Sequence, residues 1–273
     1  MGKKVFVIDT ARCNGCYNCQ IVCKDEHVGN DWSPIAKPQP EIGQFWLHLQ
    51  EKVRGTVPKV KVAYRPHLCQ HCDDAPCIEA CPIPGAAYKR DDGLVILDTE
   101  KCTGCRLCVA ACPYDVIFFN EDLNLAQKCT GCAHLIDDGW HEPRCADACP
   151  TEAIKFMDED EAKDLIAKGQ AIAGKFESSA KPRVYYSGLP KKFIAGTLYE
   201  PVEEEVVIGA TATLKAADGK VLTTETDAYG DFWFEGIDDG VYSLELKYGG
   251  KVKSFAGLDT NVEDINLGDI PLG

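Results

Sequence analysis

Apolar and polar residues alternate over residues 3–9, Lys-Lys-Val-Phe-Val-Ile-Asp, which predicts a short strand. Residues 24–68 are polar and broken by Pro34, Pro38 and Pro40, so no single helix fits them. Inside that insert, residues 44–49 and 57–64 read as two strands. Residues 86–98 predict a hairpin that turns at Asp92-Gly93. Short apolar strands are also predicted at 116–120 and 151–156. Each follows a Cys-Pro pair, so the unit "Cys-Pro, then a strand" recurs as an internal repeat. Residues 158–171 carry Ala162, Leu165 and Ile166 at helical spacing and stop near Gly169, which predicts a helix. Ser178-Ser179-Ala180-Lys181-Pro182 reads as a linker.

From Lys192 the rhythm changes. Strands are predicted at 194–199, 210–216, 221–226, 232–235, 240–248 and 252–255. Turn signals separate them at Asp218-Gly219, Tyr229-Gly230, Asp238-Asp239-Gly240 and Gly249-Gly250. This pattern predicts an antiparallel sandwich or barrel of six or seven strands. Thr226-Asp227-Ala228-Tyr229-Gly230-Asp231-Phe232 resembles a turn motif of transthyretin-like and collagen-adhesin-B-like immunoglobulin sandwiches. Asp227, Asp231, Asp238 and Asp239 lack the spacing of a full EF-hand ligand set and read as polar turn residues. The expected division is residues 1–190, with the insert at 24–68, and residues 191–273. The second region is expected to fold on its own and to carry no cofactor.

Charge excludes one class of partner. The chain has 29 basic and 43 acidic residues, a net −14, so nucleic-acid binding is not expected. From Lys191 onward there are 7 basic and 16 acidic residues, an acidity read as solubility. No run approaches about 18 consecutive apolar residues, so no membrane span is expected in this chain. Met1-Gly2-Lys3-Lys4 leads into no long apolar stretch, so no secretory leader is expected and the location is taken as cytoplasmic.

Cysteine changes the picture most. All 16 Cys lie at or before position 149, in four runs. Cys102, Cys105, Cys108 and Cys112, followed by Pro113, form C-x2-C-x2-C-x3-C-P, the bacterial ferredoxin run. Cys13, Cys16, Cys19 and Cys23 repeat its spacing. Cys69, Cys72, Cys77 and Cys81 widen the middle gap to four residues, and Cys129, Cys132, Cys145 and Cys149 widen it to twelve. Three thiolates of such a run hold one [4Fe–4S] cluster, and in two-cluster ferredoxins the fourth reaches another. Disulfides fit poorly, because the chain is long and shows no leader. Zinc prefers two pairs of ligands over triplets with a fourth Cys three residues on. The last Cys of each run is expected to start or sit on a short helix. Gly15, Gly104 and Gly131 let the backbone wrap a cluster. Of the six histidines, His71 and His134 lie beside ligands, but packing or surface roles are preferred for both. No flavin, nicotinamide or phosphate-loop fingerprint appears, so no substrate chemistry is assigned to this chain.

Cys69-Gln70-His71-Cys72-Asp73-Asp74-Ala75-Pro76-Cys77, Ala80-Cys81-Pro82 and Gly85-Ala86-Ala87-Tyr88-Lys89-Arg90 closely resemble the electron-transfer subunit of the dimethyl-sulfoxide reductase family. So do residues 102–114 and 128–154; the resemblance covers about residues 3–190. It implies a duplicated α+β ferredoxin-like domain with no catalytic residue of its own. It implies that run one pairs with run four and run two with run three. The ligand sets would be Cys13, Cys16, Cys19 with Cys149; Cys129, Cys132, Cys145 with Cys23; Cys69, Cys72, Cys77 with Cys112; and Cys102, Cys105, Cys108 with Cys81. Four [4Fe–4S] clusters are expected, with three as the fallback. The implied partner is a large subunit carrying molybdenum bis-molybdopterin guanine dinucleotide, in a heterodimer or a multiple of one. The first cluster set would lie nearest the molybdenum. The soluble acidic β region departs from most of the family. The alternatives are an iron–sulfur subunit of a respiratory sulfur-compound or sulfoxide reductase, a stand-alone polyferredoxin, and a zinc-stapled binding module.

Overall fold

The structure, a computed structural model, describes residues 2–172, 174–176 and 179–272. The chain divides into two compact units: Met1–Glu51 with Tyr64–Leu189, and Lys52–Ala63 with Pro190–Gly273.

In unit 1 the elements are short and run in this order: β1 (Lys4–Asp9), α1 (Asn18–Val28), the β2–β3 hairpin (His48–Thr56 and Lys59–His67) whose tip belongs to unit 2, α2 (Pro76–Glu79), β4 (Ala87–Lys89), β5 (Val95–Leu97), α3 (Leu107–Ala111), β6 (Ile117–Asn120), β7 (Leu125–Lys128), α4 (Ala133–Asp137), α5 (Arg144–Asp147), β8 (Ile154–Asp158), α6 (Lys163–Lys168) and β9 (Val184–Ser187). β1 is the middle strand of a three-stranded sheet, antiparallel to β8 and parallel to β9. Its alternation has a use on both faces. Phe6 and Ile8 enter the main core, while Val5 and Val7 pack with Ala162, Leu165 and Ile166 on the other side. β4 pairs with β5 and β6 with β7 as two small hairpins; of the two strands of the internal repeat, β6 lies in the second hairpin and β8 pairs with β1. The main core is unusual in composition: nine of its buried members are cysteines.

Four sequence expectations are corrected here. In runs two, three and four the short helices hold the third Cys and not the fourth: Cys77 is in α2, Cys108 in α3 and Cys145 in α5. Cys81, Cys112 and Cys149 lie at or just past the helix end. Pro82, Pro113 and Pro150 explain this, because the residue before proline is pushed out of the helical region. Run one has Lys24 in place of proline, and there α1 continues through Cys23 to Val28. The helix expected over 158–171 shrinks to Lys163–Lys168, since Asp158 closes β8. In the expected linker, Ser178 lies outside the described residues, but the following residues are docked rather than free. Ala180 is buried, and the carbonyls of Lys181 and Ala180 accept the N–H groups of Asp73 and Asp74 at 2.9 and 3.1 Å.

Unit 2 is mostly β. Its described elements are β10 (Lys192–Glu200), β11 (Glu205–Val206), β12 (Thr211–Ala216), β13 (Val221–Glu225), β14 (Asp231–Ile237), β15 (Val241–Tyr248), β16 (Lys251–Asp259) and β17 (Ile265–Pro271). One sheet has the order β11-β10-β14 with β17 also on β10, the other β13-β12-β15-β16. Both contribute to a single core: Ile194, Leu198, Phe232, Phe234 and Ile270 from the first, Ala212, Leu214, Leu244 and Leu246 from the second. The fourth correction is that this unit is not wholly antiparallel, because β17 runs parallel to β10. Gly268, Asp269 and Pro271 interrupt the alternation of β17 and hid the strand.

Residues 52–63, expected to be part of the insert in the first region, complete unit 2. They bring four basic and no acidic residues to an acidic unit. Arg54 meets Asp264 through two hydrogen bonds of 2.6 and 3.0 Å, with both side chains buried. Asp264 also accepts the N–H of Phe193 at 2.9 Å. Lys59 pairs with Asp231 and Lys61 with Glu235. Gly55 sits at φ +77°, and a β-carbon there would meet the carbonyl of Lys59 and the ring of Phe193. Asp227 acts as a turn residue, accepting the N–H groups of Tyr229 and Asp231, whereas Asp231 opens β14 and Asp238 pairs with Lys191.

Candidate metal centres

The cysteine runs fold into four groups of four, each drawing its fourth thiol from another run. Cys69, Cys72, Cys77 and Cys112 line one cavity. Cys102, Cys105, Cys108 and Cys81 line a second. Cys13, Cys16 and Cys19 face Cys149, and Cys23 faces Cys129, Cys132 and Cys145. Among the described residues no three His, Cys, Asp or Glu side chains suit a single metal ion. Thiols that ring a cavity suit a multi-iron cluster.

Local backbone explains how each run curls. Gly15 and Gly104 lie at φ +73° and +75°, and the residues two further on, Tyr17 and Arg106, lie at +61° and +62°. Each of those two caps the helix that carries the third Cys. Runs one and three are therefore the same structural unit, a likeness that the dissimilar residues Tyr17 and Arg106 conceal in the sequence. In run four Gly131 lies at φ +65° and its N–H points to Cys129 Sγ at 3.4 Å. In run two the corresponding residue is His71, whose N–H points to Cys69 Sγ at 3.5 Å.

The four groups divide into two kinds. All eight thiols of the Cys69 and Cys129 groups are buried. The other two groups reach the surface: Cys16 and Cys105 are exposed, and Cys13, Cys81, Cys102 and Cys149 are half-buried. Burial, reinforced by neighbouring thiols, pushes Cys23 and Cys145 far above the ordinary thiol range. It pushes Cys132 up to about 12 and Cys129 up to about 11. Cys149 goes the other way. Burial raises it, but the N–H groups of Ile154 and Ala153 and the Thr151 hydroxyl outweigh that and hold it below the ordinary value. Thiols in such surroundings keep their protons until a metal displaces them, so loading these sites releases protons.

His134 and His27 pack against aromatic rings. His134 stacks on Trp32 at 4.6 Å and bonds Glu26 at 3.1 Å, and His27 packs against Trp46. Burial, then His134, drives the His27 ring down to about 3, so it stays neutral. Lys128, to which the sequence reading gave no role, is buried beside the thiols, and its Nζ donates to the carbonyls of Val95 and Cys129. No described helix is long and apolar enough to cross a membrane.

Residues 60–159 match the family described as the 4Fe-4S dicluster domain. The chain is similar to the small subunit of pyrogallol hydroxytransferase from Pelobacter acidigallici, 39% identical over 100% of both chains. It is 33% identical to the iron–sulfur component ArrB of the arsenate respiratory reductase from Shewanella sp. strain ANA-3, over 66% of this chain and 94% of that one. It is 34% identical to a putative iron–sulfur subunit of dimethyl sulfoxide reductase from Halobacterium salinarum, over 60% of this chain and 69% of that one.

Proposed function

The chain belongs to the iron–sulfur electron-transfer subunits of the dimethyl-sulfoxide reductase family, carriers of [4Fe–4S] clusters beside a catalytic partner, and from that premise we propose that it is the small subunit of a pyrogallol hydroxytransferase. The observation that carries the proposal is the full-length likeness to such a subunit, which spans unit 2 as well as the cysteine runs. The partner in this reading is a large subunit holding molybdenum bis-molybdopterin guanine dinucleotide, and the complex is cytoplasmic. Unit 2 is read as an immunoglobulin- or transthyretin-like sandwich that braces the complex.

The ligand sets proposed are the four groups above, giving four clusters. When bound, the clusters supply one-electron storage at intervals along the subunit. The residues of this chain hold them by thiolate, wrap them in backbone N–H groups at Cys69, Cys129 and Cys149, and exclude water from the two buried sites. The half-buried outer groups give electrons a way in and out. Moving a hydroxyl group between polyhydroxylated benzenes has no net electron demand, which leaves this subunit a priming role.

The test is anaerobic purification of the native complex. A much larger, molybdenum-containing chain should co-elute, and phenolic turnover should continue without stoichiometric reductant. Steady dependence on electrons delivered through this subunit would instead favour a respiratory reductase, the reading that the arsenate and sulfoxide reductase relatives support.

A further inference from the structure

Three of the four runs place glycine two residues after their first Cys, each at positive φ: Gly15, Gly104 and Gly131. The second run places His71 there, at φ +45°. A residue with a β-carbon is disfavoured in that conformation, and such an exception points to a use for the side chain. The His71 ring is 2% exposed and stacks on Phe6, with centroids 6.1 Å apart and planes at 20°. Its Nδ1 accepts the N–H of Val95 at 3.0 Å, so the ring hydrogen sits on Nε2. Nε2 faces Cys129 Sγ at 3.8 Å. The main-chain N–H of the same residue points to Cys69 Sγ at 3.5 Å. One residue thus holds a donor toward a thiol of each buried group. Lys128 lies at the same junction, bonded to the carbonyl of Val95 and to that of Cys129.

We propose that His71 is a positioning residue that raises the reduction potentials of both buried cluster sites by two separate donors, its ring acting on the Cys129 site and its main chain on the Cys69 site. The proposal rests on the ligand sets given above. A donor to ligand sulfur stabilises the reduced, more negative cluster and so raises its potential. The buried ammonium of Lys128 acts in the same direction on both sites.

His71→Gly installs the residue of the other runs. It keeps the main-chain N–H and removes only the ring. In the purified complex, a redox titration followed by electron paramagnetic resonance should show the cluster at Cys23, Cys129, Cys132 and Cys145 about tenfold less reduced at a given potential, about 59 mV lower for a one-electron couple. The Cys69 site should hold its potential. Cys23→Ser identifies which signal belongs to which site, and His71→Gln, which restores a donor, should recover most of the shift. Unchanged potentials with full iron content overturn the proposal. So does an equal fall at both sites, the mark of a general loss of packing. If His71→Gly loses iron, the wild-type complex decides. Labelled with 15N-histidine, its pulsed spectrum should show a ring nitrogen coupled to one of the two buried clusters, and absence of that coupling overturns the proposal. Wild-type iron far below four clusters overturns the ligand sets instead, a separate failure.

Discussion

The two units build their interiors in opposite ways. Unit 2 fills its core with Ile194, Leu198, Leu214, Phe232, Leu244 and Leu246, aliphatic and aromatic residues that pack against each other. In unit 1 nine of the buried core residues are cysteines, and the strands around them run to only three to six residues, apart from the hairpin it shares. Thiols lining cavities leave apolar neighbours without partners on one side. Unit 1 is therefore a shell whose filling is inorganic, and unit 2 carries its filling in its sequence.

That contrast predicts the largest effect. Stripping iron with a chelator under reducing conditions should unfold unit 1 and leave unit 2 folded. Amide hydrogen exchange checks this: β4 to β7 should lose protection, while β10, β12 and β15 keep it. Joint survival or joint collapse of the units would break the contrast. Next in size, Cys23→Ser should cost about a quarter of the bound iron, taken from the site of Cys129, Cys132 and Cys145 more than a hundred residues away. Loss instead from the site of Cys13, Cys16 and Cys19 would show that runs keep all four ligands to themselves.

Within unit 2, Leu244→Ala should cost about 2–5 kcal/mol in denaturant melts of that unit and leave the iron content unchanged. Arg54→Met should cost about 3 kcal/mol, because it leaves Asp264 buried without its cation. A smaller effect concerns pH. Burial raises the Asp264 carboxyl, but Arg54 and the Phe193 N–H outweigh it and hold the group below its ordinary value. Its contribution is thus complete above the unfolded carboxylate range, roughly pH 4, and fades as pH falls through the depressed folded value. In Arg54→Met that acid-side loss should vanish from the stability-versus-pH curve of unit 2, and its persistence would assign the effect to other carboxylates.

The sequence made β1 legible, since Phe6 and Ile8 alternate with Val5 and Val7 and both sets are buried. The cysteine spacing exposed the repeat, because ligand geometry is written directly into residue intervals. Proline after the fourth Cys was harder to read, since it marks either end of a helix, and here it marks the exit. β9, β11 and β17 escaped because each is short, or is interrupted, or gains its order from a partner far along the chain. The left-handed turns at Tyr17 and Arg106 left no trace, because neither residue type favours that conformation. His71 did leave one: setting the four runs in register shows a histidine where its three counterparts are glycine. The place of residues 52–63 was beyond local reading, since Arg54 finds Asp264 only 210 positions later.

That last arrangement bears on how such a chain can be reshuffled over generations. A recombination event that moved only residues 190–273 between relatives would carry Asp264, Asp231 and Glu235 without Arg54, Lys59 and Lys61. The recipient would inherit a buried acid without its matched cation, and an incoming Phe193 that packs closely only against a glycine at position 55. Inheritance of the second unit therefore requires two separated stretches of the gene to change together, so its twelve-residue outlier at 52–63 should share the ancestry of the distant C-terminal segment.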